Sequence, residues 1–310
     1  YKGVYRTISN TTKDNFEQSL KNYNLSTIKP IKIVVDAANS MGILDLQEFF
    51  KHTPQLEIIK VNYELDGNLP SHDADPLKPE NLKLLQDEVL KNNADLGISP
   101  DGDGDRYFFV DDKGQIIRQE ILRGIMAQIE LKKNPNATVC YDIRPGKITE
   151  DMIKKVNGKY ILTKVGHSLI KQTMIENDAV FGGESSGHYF YKTPYGTFES
   201  PALLLAKFLQ FISDQDLPVS QVIKPYQIYF NSGEINTKVN DIKKVISKIK
   251  DTYNDGELNE LDGITITYKD FWFNVRPSNT EPVLRLTLEA ISEQIMQQKT
   301  NEILDLIKNA

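Results

Sequence analysis

Apolar positions in this chain come in short blocks whose period switches repeatedly between that of a helix and that of a strand. Phe16, Leu20 and Tyr23 stand at helical spacing within residues 13–23. A turn over 26–30 precedes Ile31-Lys32-Ile33-Val34-Val35-Asp36, the texture of a strand buried on both faces. The chain then predicts a helix over 43–51 and a strand over 56–63, a βαβ unit that implies a parallel sheet. A polar loop with three prolines runs from Asp66 to Pro79. A helix over 80–92 follows, then a short strand at 94–99 and a hairpin pairing 107–111 with 115–117 around Asp112-Lys113-Gly114.

After a helix over 119–132, Asn134-Pro135-Asn136 marks a boundary. A second βαβ series has strands at 137–142, 160–164 and 179–182 and helices at 147–156 and 168–176. A glycine-rich loop leads into the aromatic strand 189–191, and a strongly apolar helix is predicted over 199–212. Residues 214–218 are polar and mark a second boundary. From Gln227 the texture changes to strands at 228–230, 263–268, 271–276 and 283–289, with helices at 240–253 and 292–307. That tail reads as a small α+β domain with an antiparallel sheet. The expected fold is α/β: two α/β domains with mixed or parallel sheets, then a smaller α+β domain. The expected domain limits are 1–133, 134–222 and 223–310.

Composition narrows the function classes. The 310 residues are 26% charged and 39% hydrophobic, with a net charge of −6, so no overall basic field recruits nucleic acid. No apolar run reaches 18 residues, and no membrane-spanning helix is predicted. The N-terminus lacks a signal-peptide pattern, and the single cysteine, Cys140, sits in a strand-like run as a packed residue. A reducing, cytoplasmic setting is expected. The chain begins at Tyr1, which raises the expectation of sequence upstream.

The stretch with the strongest chemistry is Ser99-Pro100-Asp101-Gly102-Asp103-Gly104-Asp105-Arg106, at the end of a predicted strand. Glycines between the aspartates let the backbone fold sharply enough for Asp101, Asp103 and Asp105 to converge. Converging carboxylates repel unless a hard cation such as Mg²⁺ neutralises them. Arg106 adds a fixed positive charge suited to a phosphoryl group. A calcium helix-loop-helix site is excluded: its sixth and twelfth positions want Gly and Glu, where this chain has Arg106 and Asp112. A solvated acidic turn is the plain alternative.

Three further clusters stand out. In Gly183-Glu184-Ser185-Ser186-Gly187-His188 a carboxylate and an imidazole on a glycine-bounded loop suit vicinal sugar hydroxyls, or are simply surface residues of a turn. In Arg276-Pro277-Ser278-Asn279-Thr280-Glu281-Pro282 a guanidinium, hydroxyls and exposed N–H groups suit a phosphate, or make a polar hairpin turn. Arg285 on the next strand is open between structural and ligand-binding roles. Lys164-Val165-Gly166-His167-Ser168, with Arg144, is either a basic pair facing an anion or a surface stretch in which Ser168 caps a helix.

Taken in order, the acidic, sugar-reading and phosphate motifs resemble those of the α-D-phosphohexomutases, in the phosphomannomutase/phosphoglucomutase branch, from about Ile31 to Glu289. The resemblance implies an enzyme of four domains that interconverts hexose 1-phosphate and 6-phosphate. A phosphoserine donates its phosphoryl group, and a hexose 1,6-bisphosphate forms as intermediate and activator. It implies Mg²⁺ on Asp101, Asp103 and Asp105, with Arg106 steadying the phosphoserine. It assigns Glu184, Ser186 and His188 to the sugar hydroxyls and Arg276, Ser278, Asn279 and Thr280 to the non-reacting phosphate. Arg144, Lys164 and His167 match the basic positions beside the reacting phosphate less securely.

The sequence departs from the family in one respect. The Ser-His-Asn-Pro type of loop that bears the nucleophile is not found in these 310 residues. The chain therefore reads as the family's second, third and fourth domains without the phosphoserine domain, and is expected to be inactive alone. The expected ligands are mannose or glucose 1- and 6-phosphates. Alternatives at this point are a stand-alone sugar-phosphate-binding protein, a metal-dependent phosphatase with an aspartate nucleophile, and a phosphoglucosamine mutase.

Overall fold

The computed structural model describes residues 11–144, 146–278 and 283–309. They form two compact units. One holds the chain up to Gln119 with Ser186–Tyr189 and Phe198–Lys224; the other holds Glu120–Ser185, Phe190–Thr197 and the chain from Pro225.

The first sheet contains β1 (Lys32–Asp36), β2 (Glu57–Val61), β3 (Leu96–Pro100), β4 (Tyr107–Asp111) and β5 (Ile116–Ile117), in the order β2-β1-β3-β4-β5. β1 runs parallel to both neighbours, with Ile33 opposite Ile58 on one side and Leu96 on the other. β4 returns antiparallel to β3, so the sheet is mixed. Its central strands carry Ile33, Val34, Val35, Ile98 and Phe109, all removed from solvent, as expected of strands covered on both faces. The helices of this unit are α1 (Thr11–Leu20), α2 (Gly42–Lys51) and α3 (Lys83–Asn92). The turn from β3 into β4 is the acidic loop, closed by the Asp101 N–H donating to the Arg106 carbonyl at 3.1 Å.

The second sheet is built from β6 (Thr138–Asp142), β7 (Lys159–Thr163), β8 (Phe181–Gly183), β9 (Tyr189–Thr193) and β10 (Gly196–Glu199), ordered β10-β9-β8-β6-β7. β6 is parallel to β7 and to β8. Its helices are α4 (Gln119–Lys133), α5 (Lys147–Lys155) and α6 (His167–Glu176). Next come α7 (Pro201–Ser213) and α8 (Val219–Ile223), which belong to the first unit. Phe208 of α7 lies 4.5 Å, centroid to centroid, from Phe109.

The third sheet is antiparallel: β11 (Phe230–Lys238), β12 (Glu257–Asn259), β13 (Ile264–Thr267), β14 (Phe271–Pro277) and β15 (Val283–Ala290), ordered β11-β15-β14-β13-β12. Helices α9 (Ile242–Thr252) and α10 (Glu293–Lys308) cover one face. Val245, Ile249, Ile303 and Ile307 there meet Phe273, Val275, Leu286 and Leu288 of the strands.

The α/β class, the mixed sheets and the antiparallel tail are as expected; several details are corrected. Glu199 and Ser200 are not helical. Glu199 ends β10, and Ser200 is the N-cap of α7, its Oγ accepting from the Leu203 N–H at 3.3 Å with Pro201 next. The strand expected at 228–230 begins instead at Phe230 and runs nine residues. This edge strand is mostly polar, with only Phe230 and Ile235 apolar, so it lacks an apolar signature. Strands β10 and β12 and helix α8 add to the expected elements. Ser168 does not cap α6, whose N-cap position is Gly166 with no side-chain bond. Among the described residues, no helix is long and apolar enough to cross a membrane.

Candidate active site

The acidic loop brings its three aspartates together. Asp101, Asp103 and Asp105 each offer a carboxylate oxygen, all within 4.8 Å of one another. Asp101 is buried and acts as the loop's organiser. Its Oδ1 accepts from the Gly104 N–H at 3.1 Å and the Arg106 N–H at 3.2 Å, and its Oδ2 from Arg106 Nε at 2.6 Å. Asp103 is exposed. The Oδ1 of Asp105 is shut off from solvent without a hydrogen bond, with Arg106 Nε 3.7 Å away. Burial, and then the charge of Asp101, push the Asp105 carboxyl up to about 6, against a downward pull from His188. Three hard oxygen donors and a carboxylate oxygen with no donor of its own fit a divalent cation such as Mg²⁺.

Arg106 lies across this loop. Besides Asp101 it donates through Nη1 to the Ser186 carbonyl at 3.4 Å. Ser186 in turn pairs its Oγ with His188 Nδ1 at 3.0 Å. That leaves His188 Nε2 3.6 Å from Asp105 Oδ2 and 4.0 Å from Glu199 Oε1. Glu199 thus joins the site, a residue that the apolar pattern had assigned to a helix. The Ser200-Pro201 pair, a cap followed by a first-turn proline, is the signal that would have ended the strand after it.

The second unit holds the rest of the Gly183–His188 loop. Glu184 is buried and accepts from the Gly166 N–H at 3.1 Å. This fixes its carboxylate and ties it to the Lys164–Ser168 stretch. Ser185 donates its N–H to Asp142 Oδ2 at 3.0 Å and its Oγ to Asp142 Oδ1 at 2.8 Å. Arg144 grips the same carboxylate through Nε at 3.0 Å and Nη2 at 2.6 Å. Lys164 is exposed, and His167 stands edge-on to Phe190 at 4.9 Å. Arg123, Asp142 and Ser185 carry this network, and none is legible from spacing.

In the third sheet Arg276 is buried and donates to Glu234 at 2.7 Å. Arg285 donates to the other Glu234 oxygen at 3.1 Å and to Ser278 Oγ at 3.1 Å. One carboxylate on β11 therefore holds two guanidinium groups beside Ser278. Asn279 and Thr280 lie outside the described residues. Cys140 is buried, and burial pushes its thiol up to about 12, which removes it as a nucleophile.

Comparison with known proteins gives three adjacent matches to family profiles. The phosphoglucomutase/phosphomannomutase alpha/beta/alpha domain II profile matches residues 14–114, and domain III matches 120–229. The C-terminal domain profile of the same family matches 234–306. A phosphomannomutase of Methanocaldococcus jannaschii is 43% identical over 297 residues, covering 95% of this chain and 66% of that protein. Phosphohexose mutases of Xanthomonas campestris are 36% identical over 308 residues, covering 97% of this chain and 68% of theirs. A crystal structure of a phosphoglucomutase/phosphomannomutase family protein from Burkholderia thailandensis superposes with a TM-score of 0.85 at 30% identity. The match covers 96% of this chain and 64% of that one. The chain spans about two thirds of the length of these relatives.

Proposed function

We propose a phosphohexose-directed activity from one premise: this chain belongs to the phosphoglucomutase/phosphomannomutase family. On this reading it contributes the metal-binding, sugar-reading and phosphate-gripping parts of a phosphohexomutase. The reaction interconverts the 1- and 6-phosphates of mannose or glucose by way of a hexose 1,6-bisphosphate. The phosphoryl carrier is a phosphoserine that is not among the described residues. We read the chain as three domains; the family profiles themselves meet between 114 and 120 and between 229 and 234.

The observation that carries the reading is the convergence of Asp101, Asp103 and Asp105 beside Arg106 at the end of β3. These three carboxylates would hold Mg²⁺, which when bound withdraws charge from phosphoryl oxygens. Arg106, fixed by Asp101, keeps a guanidinium beside the loop at no further ordering cost when an anionic group arrives. Glu184, immobilised by the Gly166 N–H, presents a carboxylate to sugar hydroxyls. His188, oriented through Nδ1 by Ser186 and with Nε2 turned toward Asp105 and Glu199, presents its imidazole edge to a second hydroxyl. Arg276 and Arg285 stand ready for the non-reacting phosphate, with Ser278 and, on the family pattern, Asn279 and Thr280. On the family pattern, Arg144, Lys164 and His167 take the basic positions that serve the reacting phosphate.

Calorimetric titration of the chain with glucose 1,6-bisphosphate in Mg²⁺ tests the proposal. Binding is expected, weakened at least tenfold by Glu184→Ala or by removal of the metal. Absence of binding to the bisphosphate and to both monophosphates would sink the reading.

A further inference from the structure

The largest fully buried side chain in the described structure is that of Arg123, a residue with no place in the proposed chemistry. Arg123 and Asp142 are both at 0% exposure, and a buried guanidinium needs a specific set of partners. It has them. Nη1 donates to Asp142 Oδ1 at 3.0 Å and to Ser185 Oγ at 2.9 Å, and Nε donates to Thr149 Oγ1 at 3.2 Å. Its plane lies over the Tyr141 ring at 4.9 Å. Room for it is built into the backbone: a Cβ on Gly146 would stand 2.3 Å from Arg123 Nη2.

Its partners are the groups from which the site hangs. Asp142 is the shared acceptor for Arg144 and for both donors of Ser185, the residue after Glu184. Asp142 Oδ1 is engaged by Arg123 and the Ser185 hydroxyl together, so the three groups close a triangle. Without Arg123 the carboxylate keeps only Arg144 as a cationic partner and is free to turn toward it, slackening both bonds to Ser185. We infer that Arg123 is a positioning residue that locks Asp142, and through it holds Ser185 and Arg144 in the geometry required for sugar-phosphate binding. The functional half of this inference rests on the reading of Glu184 and Arg144 given above; the structural half does not.

Two measurements on the full chain separate those halves. Amide hydrogen exchange is read at Ser185 without ligand, and glucose 6-phosphate affinity is read by calorimetry in Mg²⁺. Arg123→Met, which keeps the bulk without the fork of donors, is expected to speed Ser185 exchange at least tenfold and weaken glucose 6-phosphate at least tenfold. Arg123→Lys, which keeps the charge, should recover part of both. Ser185→Ala should lose affinity similarly while keeping the buried ion pair, and the double variant should lose little more than either single one. A folded R123M protein with wild-type exchange and affinity overturns the inference, as do fully additive losses. If exchange rises in R123M but the wild type binds no sugar phosphate, the positioning role stands and the proposed function falls. Should R123M fail to fold, wild-type affinity in S185A overturns the inference by itself.

Discussion

Replacing Gly104 with alanine tests whether the acidic loop depends on two backbones in contact. Gly104 has φ +81°, in the left-handed region, where an L side chain costs roughly 1–2 kcal/mol. Its added Cβ would also lie 2.7 Å from Gly42 Cα and 3.0 Å from Gly42 N, backbone atoms at the start of α2 that cannot rotate away. Overpacking of that kind adds about 1–3 kcal/mol, giving about 2–5 kcal/mol in all. The strain falls on the site, because Met41 N–H donates to the Gly102 carbonyl at 3.1 Å and Ser40 Oγ to the Asp101 carbonyl at 3.0 Å. Moving α2 from Gly104 therefore moves the aspartates. Gly114 is the control: φ is +70°, but its Cβ would press on the Leu90 side chain at 3.2 Å, which can shift, and meet the Gln86 carbonyl at an ordinary 3.5 Å. Urea titrations should show Gly104→Ala losing about 1–3 kcal/mol more than Gly114→Ala. Paramagnetic resonance of added Mn²⁺ should show at least tenfold weaker binding in the first variant and unchanged binding in the second. Equal stabilities together with wild-type Mn²⁺ affinity in G104A would refute the reasoning.

Other outcomes follow from paired charges and from a buried thiol. Burial favours the protonated form of Asp142, but the charges of Arg144 and Arg123 outweigh it and hold the carboxyl at about 2, below the ordinary 3.8. Its stabilisation, on the order of 2 kcal/mol, is fully present above about pH 4 and is lost as pH falls through about 2. The stability gap between wild type and Asp142→Asn in urea should therefore narrow as pH drops from 5 to 2. Cys140, with its thiol raised to about 12, should resist alkylation at pH 8 until urea unfolds the second sheet; prompt native labelling would contradict its burial. Glu234→Gln removes the carboxylate between Arg276 and Arg285, and should cost about 1–3 kcal/mol while tightening inorganic phosphate binding several-fold.

Periodicity found strands that are buried on two faces, such as β1 with Ile33-Val34-Val35, because a short apolar run bounded by polar and turn residues suits a strand covered on both sides. It shortened β11 and missed β12, since an edge strand with polar residues on its outer face has little apolar signal. The acidic loop was legible because alternating Gly and Asp suits neither a helix face nor a packed strand. Glu184, His188 and Arg276 were legible only as members of motifs. Arg123, Asp142, Glu199 and Glu234 were not. Arg123 acts through partners 19 to 62 residues distant, and Glu234 through partners 42 to 51 distant. Spacing along one segment carries no record of such pairings.

Glu289 of β15 is buried, and its Oε2 accepts both from Trp272 Nε1 at 2.8 Å and from the Lys147 N–H at 3.0 Å. A single oxygen thus joins the antiparallel sheet to the first turn of α5. Trp272 also borders a cavity of about 260 Å³ lined by Arg144 and Lys147. It is the sole tryptophan of the 310 residues. The molecule therefore carries a built-in optical probe at this joint. Indole emission, excited where tyrosine hardly absorbs, reports on the hydrogen bond to Glu289 and on water entering beside it. A stopped-flow trace at that wavelength would follow the loosening of this one seam in real time, with no label attached.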